Sequence, residues 1–249
     1  MGQKVIKISE EIYCIYTPSY FNCTYIIYRN QEVILIDTGM KSDASDVKRA
    51  LIQLNIPLSR IKAILLTHWH NDHSAGTAEL KQLTNCETYC HKNEAVYFEK
   101  AQSSWIRRLA DYIPEYGILV LFKGLLGDTV PRPVKIDKIV QDGDLIHDTF
   151  EVVHSPGHTD GHVSYYDKKS KFLFAGDSLA VVRGKLRLMA SIVTPDKVKA
   201  LDSIVRSLTN NDIRVVCPGH REPLTINVNT EINQFLDTIR SQKKWPLLG

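Results

Sequence analysis

Apolar and polar positions along the chain follow two rhythms. Over Val5 to Ile8, Ile12 to Tyr16, Thr24 to Tyr28 and Val33 to Ile36, β-branched and aromatic residues gather in short runs. Breaks at Pro18 and at Arg29-Asn30 separate them, which predicts four strands joined by turns. From Asp43 to Leu54 the rhythm changes: Ala44, Val47, Ala50, Leu51 and Leu54 recur at helical spacing and the run stops before Pro57. Ile61 to Leu66 is a short unbroken apolar run of buried-strand type, and Ser74 to Leu83 returns to helical spacing. A further strand is expected near Thr88 to His91. The second half repeats the style, with strands near Leu145 to Val153, His162 to Tyr166, Lys171 to Ala175 and Ile213 to Val216. Helices are predicted over Pro195 to Leu208 and Thr230 to Ile239. Apolar helix faces interleaved with apolar strands predict sheets covered by helices, an α/β class.

The segment from Glu94 to Pro133 interrupts this pattern. Trp105, Leu109, Tyr112 and the run Ile118 to Phe122 make it too apolar for an exposed loop, and they alternate too poorly for a strand. It reads as a helical insertion, at about 94–133, in a single domain spanning 1–249, a length that buries a sizeable core.

The charge balance changes little in this picture. Thirty-one basic against 28 acidic residues leave a net charge of +3, spread along the chain, and no basic arm points to a nucleic-acid partner. Met1 to Glu10 contains no apolar stretch of signal-peptide length, and no run approaches the roughly 18 apolar residues of a membrane-spanning helix. A soluble, cytoplasmic protein with no membrane partner is expected. The five cysteines are odd in number and lack CxxC spacing. They read as reduced, buried thiols, including Cys86 and Cys90, which share one side of a predicted strand.

Chemistry is concentrated in Thr67-His68-Trp69-His70-Asn71-Asp72-His73, which places three histidines and a carboxylate within six residues, directly after the apolar strand. Imidazole and carboxylate are ligands that Zn(II), Fe(II) and Mn(II) accept. His68 and His70, at i and i+2, point the same way if the chain leaves the strand extended, while Asp72 and His73 leave a helix start in other directions. One loop can thus feed two metals. A merely solvated polar loop is the competing reading, but it gives no reason for four ligands in so short a span. His91, His147 and His154 read as structural or solvated, and His162 as packed or supporting a ligand.

HxHxDH after a strand resembles the signature loop of the metallo-β-lactamase superfamily, and other motifs follow in that family's order. Ser155-Pro156-Gly157-His158-Thr159-Asp160-Gly161-His162 resembles its PGHTxGH loop, and Phe174-Ala175-Gly176-Asp177-Ser178 its GD element. Cys217-Pro218-Gly219-His220 resembles its last PGH, and Leu35-Ile36-Asp37-Thr38-Gly39 its strand-end DTG. The resemblance covers about residues 12–222. It implies a four-layer αββα sandwich. It further implies that His68, His70 and His158 bind one metal, that Asp72, His73 and His220 bind a second, and that Asp177 bridges them. Asp37 and Thr67, at strand ends beside the loop, would orient ligand histidines from behind.

The implied cofactors are two zinc ions, with iron or manganese compatible with the same donors. The implied reaction is hydrolysis of a small-molecule substrate by a hydroxide held between the metals, with Asp72 as the catalytic proton acceptor. A small ester, thioester or lactone fits the glyoxalase II and lactonase side of the family. Alternatives are a persulfide dioxygenase using one iron on the positions of His68, His158 and Asp177, a phosphodiesterase, a β-lactam hydrolase, or a non-catalytic metal-binding module. The insertion is expected either to cover the site, with Trp105, Tyr112, Tyr116 and Phe122 as an apolar wall against the substrate, or to pair two copies in a homodimer.

Overall fold

The computed structural model describes residues 3–19, 21–99, 132–209, 212–241 and 245. Most of the apolar insertion, including Trp105, Tyr112, Tyr116 and Phe122, lies outside the described residues. The chain divides into two compact units, one comprising 1–90 and 95–139, the other 91–94 and 140–249.

The first unit is built on a sheet in which β1 (Lys4–Lys7), β2 (Ile12–Thr17), β3 (Asn22–Arg29), β4 (Glu32–Ile36), β5 (Ile61–Leu65), β6 (Glu87–His91) and β7 (Lys138–Val140) stand side by side in sequence order. β1 to β4 are antiparallel neighbours, whereas β4, β5 and β6 run parallel. The parallel crossovers carry helices α1 (Ser45–Gln53), α2 (Asn71–Ser74) and α3 (Thr77–Thr84), because parallel strands need a long return path. Val47, Ala50 and Leu51 of α1 and Leu80 of α3 join Ile15, Ile26, Leu35 and Ile64 of the sheet in one core. Each of the valine, leucine and isoleucine side chains contributes about 1.5–3 kcal/mol by leaving water. Cys86 and Cys90 lie in this core as small apolar groups, and all five cysteines are buried.

Helix α4 (Lys92–Glu99) follows β6, its first residues belonging to the second unit. That unit holds β8 (Leu145–Ile146), β9 (Phe150–His154), β10 (Val163–Asp167), β11 (Phe172–Gly176) and β14 (Val215–Pro218) in the order β14-β11-β10-β9-β8. β9, β10 and β11 are antiparallel in succession, and β14 lies parallel to β11. A separate hairpin pairs β12 (Ala180–Val182) with β13 (Lys185–Arg187). Helices α5 (Lys197–Thr209) and α6 (Val228–Ser241) contribute Ile204, Leu208, Ile232, Phe235 and Leu236 to a core with Leu173, Ala175 and Val216. No described helix is long and apolar enough to cross a membrane.

Two expectations from the periodicity are corrected. Leu145 to Val153 is not one strand: His147 and Asp148 both take positive φ, and the chain folds back as the β8–β9 hairpin. The helix expected over Ser74 to Leu83 is two helices, broken at Ala75-Gly76, where glycine is a weak helix former.

Candidate metal centre

In the first unit the ligand-type residues gather where parallel strands end. β4 and β5 run side by side, so the residues leaving their carboxyl ends, Asp37 and Thr67-His68, are brought together. Asp37 takes φ of +61°, a strained value for a non-glycine residue and one that persists only where its surroundings hold it. Its Oδ1 accepts the backbone N–H of Thr67 at 2.8 Å, and its Oδ2 accepts both the Thr67 hydroxyl at 2.8 Å and Nδ1–H of His73 at 2.8 Å. The Thr67 hydroxyl, having donated to Asp37, is an acceptor toward Nδ1 of His68, 3.0 Å away. Both rings therefore carry their proton on Nδ1 and the lone pair on Nε2. The rings lie close together, with centroids 4.7 Å apart for His68 and His70 and 4.3 Å for His68 and His73.

His70 stands at the residue before α2, and Asp72 and His73 fall in the helix's single turn. The turn is held from three sides. The Ser74 hydroxyl donates to the carbonyls of Trp69 and His70, Thr38 N–H donates to the His73 carbonyl at 2.6 Å, and the Asn22 amide donates to the Asp72 carbonyl at 2.9 Å. Asp72 Oδ2 then stands 3.6 Å from His73 Nε2.

In the second unit the same logic recurs at one end of the sheet. β9, β11 and β14 run in one direction, so the loop 155–162, Asp177 and the Pro218-Gly219-His220 turn all leave the same edge. Gly219 N–H donates to the Gly176 carbonyl at 2.7 Å, locking the two neighbouring strand ends together. Asp177 Oδ2 lies 3.4 Å from His158 Nε2 and 3.3 Å from His220 Nε2. Nδ1–H of His158 donates to the Val193 carbonyl at 2.5 Å, again leaving the lone pair on Nε2. Gly157 makes the approach to His158 feasible: its φ is +138°, and a Cβ there would lie 2.5–2.6 Å from backbone and side-chain atoms of Ala200.

His162 acts behind Asp177. Its Nε2 accepts the Asp177 backbone N–H at 2.9 Å, so its proton is on Nδ1, which faces the Ser155 hydroxyl at 2.8 Å. Ser155 continues to Ser164 at 3.0 Å, and Ser164 donates to the Ala175 carbonyl at 3.2 Å. The donors run in one direction from the strand end carrying Asp177 back into the sheet. Neither serine is marked by any motif. Their role is decided by cross-strand register, with Ser164 opposite Val153.

These donors fit a divalent cation. Lone-pair nitrogens standing 3.4–3.6 Å from carboxylate oxygens that are themselves acceptors repel unless a proton or a cation lies between them. Asp177, only 4% exposed, is a costly charge to bury without such compensation. Nitrogen and oxygen donors with no thiolate suit zinc, iron or manganese.

The chain as a whole is similar to known proteins. The profile of the metallo-beta-lactamase superfamily matches residues 17–220. A protein of Bacillus subtilis called a probable metallo-hydrolase is 24% identical over 84% of this chain and 83% of its own. The hydroxyacylglutathione hydrolase GloC of Haemophilus influenzae is 24% identical over 87% of this chain and 93% of its own. A metallo-beta-lactamase family protein of Thermus thermophilus shares the fold with a TM-score of 0.68 at 23% identity, over 94% of this chain and 81% of that one. A second solved structure, described as di-iron-bound, aligns with a TM-score of 0.63 at 25% identity, over 86% and 95% of the two chains. A di-zinc class B3 enzyme from a soil metagenome aligns at 0.64 and 20%, over 96% and 92%. The α/β fold expected from the motif order is the fold of these structures, and the chain belongs to the metallo-beta-lactamase superfamily of metal-dependent hydrolases.

Proposed function

We propose that the chain is a dinuclear hydrolase of small esters, thioesters or lactones. In this reading His68, His70 and His158 hold one cation, Asp72, His73 and His220 hold a second, and Asp177 bridges the two. The observation that supports it most is the commitment of ring protons. Asp37, Thr67 and the Val193 carbonyl take the Nδ1 protons of His73, His68 and His158, so three Nε2 lone pairs are preset for ligation before any cation arrives. A pair of zinc ions, or of iron or manganese, would supply a water ionising near pH 7 and polarise the oxygen of the scissile group.

The chain's own groups do the rest. Asp72, its backbone pinned by Asn22 and its carboxylate partly open to solvent, orients the attacking water and takes up its proton at Oδ1, Oδ2 being the oxygen that faces His73. Asp37 and Thr67 keep the rings from turning as charge develops. Relatives called hydroxyacylglutathione hydrolase favour the thioester among the three bond classes.

The test is metal analysis of protein purified without added metal, followed by turnover on thioester, lactone, phosphodiester and β-lactam substrates. Two cations per chain with thioester or lactone hydrolysis is the expected result. One iron per chain with oxygen-consuming turnover would instead make the chain a persulfide dioxygenase. Cleavage confined to phosphodiesters or β-lactams would overturn the substrate class.

A further inference from the structure

The loop that carries His158 is gripped by a carboxyl group far away in the chain. Glu94, in the first turn of α4, is 1% exposed, yet its Oε1 accepts both the Thr159 hydroxyl at 2.9 Å and the backbone N–H of Gly161 at 2.8 Å. Between them the Asp160 carbonyl accepts Nε2–H of His154 at 3.1 Å and the Asn93 amide at 3.4 Å. Three consecutive residues directly after His158 are thus each held by a side chain. Glycine is required at 161 for this grip, since a Cβ there would stand 2.6 Å from Glu94 Oε1 and 2.8 Å from its Cγ.

Burying a carboxyl group is expensive unless its hydrogen bonds repay it, and both of these Glu94 bonds go to this loop. On its other side the loop is held by Gly157 N–H to the Thr159 carbonyl at 3.1 Å, Asp196 N–H to the Gly157 carbonyl at 3.2 Å, and the Val193 carbonyl at the His158 ring. Without the Glu94 bonds, the segment from Thr159 to Gly161 loses the anchors at both its ends, including the one on the residue next to His158, and the His158 ring gains freedom to leave its ligating direction.

We infer that Glu94 is a positioning residue that presets His158 for metal binding by clasping Thr159 and Gly161. The inference rests on His158 being a ligand. The carboxyl group acts through the loop and touches neither metal nor substrate.

Zinc affinities of both sites, read by competition with a chromogenic chelator, test it in Glu94→Ala, Glu94→Gln, Thr159→Val and His158→Ala. Thermal unfolding of each metal-free variant is measured alongside. Glu94→Ala is expected to weaken one of the two sites about 10- to 100-fold and leave the other within a few-fold. Glu94→Gln keeps an amide oxygen where Oε1 stood and should stay near wild type. Thr159→Val, which removes one of the two bonds without emptying the buried space, should fall between them and gives the readout if Glu94→Ala does not fold. Wild-type affinity in Glu94→Ala, or in Thr159→Val should the former be unfolded, would overturn the clasp. So would equal weakening of both sites in step with lower metal-free stability. If His158→Ala itself keeps both sites at full affinity, the ligand assignment fails first, a result distinct from failure of the clasp alone.

Discussion

Oδ2 of Asp37 accepts Nδ1–H of His73 across 2.8 Å, joining residues 36 positions apart and fixing which nitrogen of the ring is left to bind a cation. Replacing Asp37 by Asn keeps the shape and tolerates the positive φ, but it removes the negative charge that holds the proton in place. Asp37→ Asn-type loss is expected to cost about 10- to 100-fold in metal affinity, measured by chelator competition on the D37N variant. Unchanged affinity would mean that the ring is held well enough by packing.

Asp177→Ala should lower activity far more than stability. If Asp177 bridges two cations as proposed, its removal would leave them facing each other across roughly 3.5–4 Å, and occupancy should drop to one or less. Elemental analysis and steady-state turnover report the two effects separately. Two retained metals with near-normal turnover would show that Asp177 is not the bridge.

His220, 3.3 Å from Asp177, is assigned to the second site only. On the proposed division of ligands, His220→Ala should therefore reduce the zinc content by about one ion per chain, leaving the site of His68, His70 and His158 in place. Equal loss from both sites, or none, counts against this division of ligands.

Gly157→Ala introduces a Cβ into the backbone of Ala200 at a φ of +138°. The cost is expected to be about 2–4 kcal/mol, a fall in Tm of several degrees for a chain of this size, visible in the metal-free protein. A wild-type Tm would show that the loop yields there without strain.

His91 supplies a pH dependence independent of metal. Burial, together with the stacked His154 ring at 4.3 Å and nearby Lys92, pushes its pKa from 6.5 to about 4, against a weaker opposite pull from Asp142. Its Nδ1 also accepts the Asn93 N–H at 3.3 Å, so protonation there breaks a bond. Because the folded pKa is the lower one, the unfolded chain binds the extra proton first. The stability is whole above about pH 6.5 and is lost as pH falls toward 4, by on the order of 1–3 kcal/mol. Urea unfolding of metal-free wild type and His91→Gln at pH 7 and pH 4.5 should show the variant losing less stability between the two. Parallel losses would remove His91 as the cause.

Much of the fold was legible in the sequence because its signals are local. Runs such as Ile61 to Leu66 and spacings such as Val47, Ala50 and Leu51 depend only on which residues face a core. The β12–β13 hairpin was missed, although Arg183-Gly184, both at positive φ, is a two-residue turn of the kind that right-twisted strands prefer. Its strands are three residues each, too short for alternation to stand out. The three-residue β7 escaped for the same reason.

The sequence by itself determined the chemistry on offer: three histidines and an aspartate packed into residues 68–73, and His158, Asp177 and His220 in motifs whose order names the superfamily. Tertiary structure alone decided how those side chains are prepared. The proton on His73 is set by a carboxylate 36 positions earlier, the backbone of Asp177 by His162 15 positions earlier, and the His158 loop by Glu94 more than 60 positions away. The physical reason is range. Hydrophobic periodicity is written within one element, whereas a hydrogen-bond donor finds its acceptor only after strand pairing and helix packing have brought distant loops to the same edge of a sheet.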